Sequence, residues 1–187
     1  DENERAKSLY RQVADQEVDP VWKVRALQEL ADLAAEELNS EGVVEITREL
    51  LGALPPGHVS APEARISLVA ALMQSQQLEE AGKLCTVALD AAPNLNTRQS
   101  TQVACAEVAE RAKKYDQALE GYSRVLESDA PEDVHTDAAL GLARCAFALN
   151  QPDRLLKPLS AALKRSKTPA LRLPVLTMQI RAYKALS

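Results

Sequence analysis

The sequence predicts an all-α chain of about ten helices, arranged as antiparallel pairs that recur every 37–38 residues. Three observations carry this reading. Alanine and leucine are abundant, aromatics make up 3% and glycines number 6, with no long β-branched runs and few hairpin dipeptides. One small or apolar position recurs as Ala6, Val43, Ala81, Ala118 and Leu155, at spacings of 37, 38, 37 and 37. A second series, Ala31, Val69, Ala106, Ala143 and Ile180, recurs at 38, 37, 37 and 37, and prolines at 20, 56, 93, 131 and 169 mark the joints.

The clearest unit runs from Lys113 to Pro131, where Ala118, Tyr122 and Val125 fall on one helical face and Pro131 stands just past the end. Residues 1–19 repeat that spacing with Ala6, Tyr10 and Val13, so the chain opens on the second helix of a pair. Val21 to Leu38 is the next first helix, with Val24, Leu27, Leu30, Ala31, Ala34 and Leu38 as its apolar face. After a turn at Asn39–Gly42, its partner runs from about Val43 to Leu54, with Thr47 in the aromatic position. Ser60 with Glu63 reads as a capping box for a helix whose stripe is Ile66, Val69, Leu72 and Met73.

The second helix that follows places Ala81, Cys85 and Ala88 in the repeated positions. The next first helix, from about Thr97 to Lys113, turns Val103, Ala106 and Ala109 inward. Beyond Pro131, the core face is Leu140, Ala143, Ala146 and Leu149, followed by a second helix with Leu155, Leu159 and Ala162. Pro158 predicts a late start or a kink there, because it lacks a backbone donor. Leu171 to Leu186 closes the chain as a first helix packed through Leu176, Ile180 and Tyr183, with Pro174 in its first turn.

These residues resemble the tetratricopeptide repeat (TPR), chiefly through Tyr115-Asp116 with Ala118, Tyr122 and Pro131, and Leu78 with Ala81, Ala88 and Pro93. The likeness covers essentially the whole chain. The 37–38 residue period exceeds that family's 34, the tryptophan of its first helices is missing, and Ala or Val replaces its small glycine. Sel1-like and MalT-like helical repeats stay open as neighbours. The resemblance implies a single TPR-like domain over residues 1–187, wound as a right-handed α-solenoid whose first helices line a concave wall. A chain that opens on a second helix and closes on a first one is expected to be a segment of a longer superhelix or to pack its ends on another chain, with self-association through those ends open.

No catalytic, cofactor or metal signature is found: there is no glycine-rich phosphate loop, no HExxH and no GxSxG. His58 and His135 are expected to be exposed, and Glu36, Glu37, Glu41, Glu45 and Glu49 to form a solvated face. Cys85, Cys105 and Cys145 lack CxxC spacing; a Cys85–Cys105 pair is open, but buried reduced thiols are expected, favouring a reducing compartment such as the cytoplasm, with the periplasm left open. No apolar run reaches the length of a membrane span.

Formal charge is −5, but residues 1–93 hold 8 basic and 17 acidic side chains while residues 94–187 hold 14 and 10. An acidic chain argues against nucleic acid as partner and for a protein or peptide, acidic where it meets the C-terminal half. The concave wall is expected to present Asp32, Met73, Glu107, Glu110, Arg144, Phe147, Arg181 and Lys184. The Asn and Lys set of chaperone-tail clamps is replaced here by Asp32, Ala70, Glu107 and Arg144, so that clamp is absent. The function expected is a noncatalytic scaffold binding a peptide or helix. The alternative is a structural element of a larger assembly, such as a secretion or polysaccharide-export machine.

Overall fold

Ten α-helices follow one another in the computed structural model, which describes residues 2–16 and 19–187. They are α1 (Glu2–Asp15), α2 (Pro20–Glu36), α3 (Ser40–Ala53), α4 (Ala61–Gln74), α5 (Leu78–Asp90), α6 (Leu95–Arg111), α7 (Tyr115–Leu126), α8 (Glu132–Ala148), α9 (Leu156–Arg165) and α10 (Pro169–Leu186). They form two compact units, one up to Leu84 and one from Cys85 onward, with the boundary inside α5. In the first unit α2 packs between α1 and α3, and α3 also packs on α4. In the second, α7 packs between α6 and α8, α9 pairs with α10, and α8 touches both α6 and α10. The second helices α3, α7 and α9 thus each touch two first helices, as the repeat predicts.

The hairpin turns share one backbone device. Leu38, Gln76, Lys113 and Asn150 all adopt left-handed φ values of 55–61°. At each, the following amide bonds back to a carbonyl five residues earlier: Asn39 to Ala34, Gln77 to Leu72, Lys114 to Ala109 and Gln151 to Ala146, at 2.8–2.9 Å. This closes the orphan carbonyls of the first helix and reverses the chain within one residue. No glycine occupies these positions, so each bears the steric cost of a side chain in the left-handed region.

The first unit's core is built on Ala14, Leu27, Leu30 and Leu50, and the second's on Tyr122, Leu142, Leu155, Leu159 and Val175. Burying each such leucine is worth about 1.5–3 kcal/mol. Gly121 lets α7 approach α6 closely, since a Cβ there would stand 2.9 Å from the Ala106 Cβ.

Several expectations are corrected. Leu38 is the left-handed turn residue, 85% exposed, rather than core. Ser60 caps α4 in position only: its backbone is already helical, its side chain makes no capping bond, and its N–H donates to His58 Nδ1 at 3.2 Å. Pro174 is the sixth residue of α10, not in its first turn, because the helix starts at Pro169. That helix buries Val175 and Ala182, leaving Leu176, Ile180 and Tyr183 exposed. Pro158 lies within the first turn of α9, which starts late, after a 3-10 turn over Pro152–Leu155.

His135 is fully buried, with Nε2 set 3.1 Å from the Leu126 carbonyl and Nδ1 unpartnered. Burial holds its pKa below the ordinary value, so it packs as a neutral ring. Cys85 and Cys105 form a disulfide between α5 and α6, with Cα atoms 5.6 Å apart, while Cys145 is a buried free thiol. Reduced thiols were therefore the wrong expectation at two of the three positions, and the preference for a reducing compartment loses that support. Closing a loop of this length constrains the unfolded chain by about 3 kcal/mol. At the α9–α10 joint, Glu132 Oε1 accepts from Ser166 Oγ, Lys167 N and Thr168 N at 2.8–2.9 Å, which pulls its pKa below the usual carboxylate value.

The left-handed turns give a direct test. Lys113→Gly removes the steric cost of about 1–2 kcal/mol and loses part of it to a freer unfolded chain. The expected result in denaturant unfolding is a net gain of about 0.5–1 kcal/mol, where glycine inside an ordinary helix would cost about that much.

Candidate functional site

The best-defined polar cluster lies where α6, α7 and α8 meet in the second unit. Tyr122 rises from α7 and is 1% exposed. Its hydroxyl donates to Glu110 Oε2 on α6 at 2.8 Å. Arg144 on α8 donates to the same carboxylate through Nε at 2.6 Å and Nη2 at 2.9 Å. One carboxylate therefore joins three helices, with a bidentate guanidinium on its outer side. Burial, with Glu110 beside the hydroxyl, raises the Tyr122 pKa well above its ordinary value, so the phenol stays protonated. Burial also pushes the neighbouring Cys145 thiol up to about 12, which makes it an inert thiol rather than a nucleophile.

Gly141 on α8 completes this seat. A Cβ there would run into the Tyr122 ring, so a glycine inside a helix is accepted to let the ring lie flat against the backbone. The resulting cleft, about 510 Å³, is lined by Glu107, Glu110, Asp137 and Arg144 among others. Beyond it, the Arg181 guanidinium carbon lies 4.4 Å from the Phe147 ring centre, a cation–π contact between α10 and α8. Arg144, Phe147 and Arg181 line one further hollow of about 320 Å³.

The eight residues singled out from the sequence fare differently. Glu107, Glu110, Arg144, Phe147 and Arg181 come together along α6, α8 and α10, but Arg144 is committed to Glu110 rather than free. Glu107 receives Arg111 at 3.1 Å. Lys184 is exposed on α10. Met73 is 5% exposed and belongs to the core of its helix, so it lines no groove. Asp32 is exposed at the rim of a separate cleft in the first unit.

That second cleft was not read from the sequence, although Thr47 carried its signal. It lies among α2, α3 and α4 and measures about 700 Å³. Thr47 stands in the repeat position that Tyr122 occupies, and Ser67 in that of Gly141. Thr47 is buried and its hydroxyl oxygen has no partner. At α7 a ring occupies this position beside a cleft of about 510 Å³, and at α3 a threonine stands beside the larger one. Among the described residues, no group of His, Cys, Asp and Glu is arranged to hold a metal ion, and no helix is long and apolar enough to cross a membrane. Tyr122→Phe is expected to cost about 1–2 kcal/mol in denaturant unfolding, since it deletes a hydrogen bond to a carboxylate and leaves the packing unchanged.

No protein-family model and no curated sequence matches the chain. Solved structures do match. A kinesin light chain candidate from Podosopora anserina, with nearly identical TPR-like repeats, superposes with a TM-score of 0.69 over 90% of this chain and 88% of its own, at 20% identity. BtubC (BKLC) from P. vanneervenii gives 0.72 over 99% and 82%, at 16% identity. Yeast Tom70 gives 0.64 over 98% of this chain but 39% of its own length, at 16% identity. Likeness at such low identity speaks to architecture, and it agrees with the repeat period, the proline joints and the ten helices. The chain has the fold of the TPR-like helical repeat proteins.

Proposed function

We propose that this chain is a noncatalytic protein-binding scaffold that holds a peptide or helix of a partner along the first helices of its repeats. The observation that carries the reading is the α6–α8–α10 face, where rigid helices hold Glu110, Arg144, Phe147 and Arg181 in fixed positions around two hollows. Such pre-ordered side chains lower the entropy lost on association. The available positive charge lies on α10, at Arg181 and Lys184, both exposed. That end therefore suits an acidic segment, with Phe147 offering apolar contact beneath it.

A second reading, a structural element of a larger assembly, is favoured by the exposed stripe of α10. Leu173 is 67% exposed, Ile180 56% and Tyr183 55%. Ile180 stands in the repeat position of Ala106 and Ala143, both of which are buried. This stripe suits a second copy of the chain.

The two readings separate in one pair of measurements. A glutamate-rich synthetic peptide should bind the wild type with strong salt dependence, and Arg181→Glu with Lys184→Glu should weaken it by roughly tenfold or more. Equal binding of the charge-reversed protein, or of an uncharged peptide, contradicts the groove. A concentration series by sedimentation, with Ile180→Glu as control, tests the stripe: monomer at every concentration removes the assembly reading.

A further inference from the structure

We propose that the α2–α4 cleft of the first unit receives an aromatic side chain from a basic segment of the partner, in the position that Tyr122 fills from within the second unit. The inference rests on the scaffold reading and names what that scaffold takes at this end.

Three independent observations converge on it. The first is the repeat position itself. Tyr122 packs on Gly141 beside a cleft of about 510 Å³, whereas the matching pair, Thr47 and Ser67, carries no ring and borders one of about 700 Å³ with Val24, Leu50 and Ala64 among its lining. A space of that size, apolar in depth and polar at its rim, suits a planar ring.

The second is the Thr47 hydroxyl. Thr101 and Thr136, also buried in helices, donate to the carbonyls of Thr97 and Glu132 at 2.8 Å. Thr47 is 1% exposed and its Oγ1 has no such partner, although it lines the cleft. A buried hydroxyl without a partner is costly. A polar tip on the incoming ring, such as a phenol oxygen, would supply the missing bond.

The third is charge. Glu29, Asp32 and Glu63 line the cleft against the one cation Arg25. Val21 and Trp22 stand on the first turn of α2, 70% and 61% exposed, with Val21 at the cleft itself. An acidic rim with apolar groups beside it favours lysine or arginine on either side of the inserted ring, since both bury their stems and leave the charge at the rim.

The test uses a short synthetic peptide with one central tyrosine flanked by lysines, titrated into the wild-type chain by calorimetry. Trp22, the one tryptophan in the sequence, reports locally through its emission. Two controls replace the tyrosine by alanine or the lysines by glutamates. Two variants accompany them: Thr47→Tyr with Ser67→Gly, which fills the cleft from within, and Asp32→Lys with Glu63→Lys, which reverses exposed rim charges without touching the core.

The tyrosine–lysine peptide should bind and shift Trp22 emission. Each control peptide and each variant should weaken binding by roughly tenfold or more. The cleft-filling variant should also raise the unfolding midpoint. Binding that is indifferent to the tyrosine, or unchanged in both variants, overturns the aromatic anchor and leaves the scaffold reading standing on the glutamate-rich peptide. If neither the basic nor the acidic peptide binds, the scaffold reading itself fails, and the anchor with it.

Discussion

One aromatic ring sets how the second unit is held together. Tyr122 on α7 lies against the backbone of Gly141 on α8 and sends its hydroxyl to Glu110 on α6, which Arg144 grips from the outside. Where α7 bridges α6 and α8, this ring fills much of the space at their crossing. The ring supplies apolar area, and the carboxylate satisfies its polar tip, so little is left exposed or unpaired. In the Glu110–Arg144 pair the arginine is half open to solvent while the carboxylate is mostly covered, and the exposed guanidinium keeps the pair's contribution to stability modest. Its larger effect is to fix Arg144 and to neutralise it, which shifts the positive charge available to a partner outward to Arg181 and Lys184.

The same logic explains how the two units can differ while sharing one period. Backbone turns at Leu38, Gln76, Lys113 and Asn150 keep the helices in register whatever the side chains do. Within that frame, the crossing with a ring borders a cleft of about 510 Å³ and the crossing with a threonine one of about 700 Å³. A repeat fold can thus vary its surface chemistry without rebuilding its helices, because each pair depends mainly on its neighbours.

Much of this was legible in the sequence. The period, the proline joints and the small residues at the close crossings follow from helical spacing, and Ala81, Ala118, Val69, Ala106 and Ala143 are buried as their positions required. Other features were not legible, for identifiable reasons. The left-handed turns use Leu, Gln, Lys and Asn in place of glycine, so composition gave no cue and Leu38 was assigned to the core. Met73 has the spacing of both a wall and a core residue, and packing placed it inside. His135 is polar, yet the Leu126 carbonyl allows it to be buried. Ile180 follows the repeat perfectly but lies exposed, because periodicity reports which face a residue shares and not whether a neighbour covers it. Within the candidate site, Glu110, Arg144 and Phe147 were found from their register, while the partners that restrain them lie on other helices and needed three dimensions.

The residue at the crossing sets how tightly the helices pack there and how large the cleft beside it is. Tyr122→Thr imposes on the second unit the choice that Thr47 makes in the first, so the direct measurement is its unfolding free energy together with its crystal structure. The expected result is a loss of about 3–5 kcal/mol and an enlarged cleft among α6, α7 and α8, with Arg144 still on Glu110. A loss below about 1 kcal/mol, with the helices closed over the threonine, would contradict it.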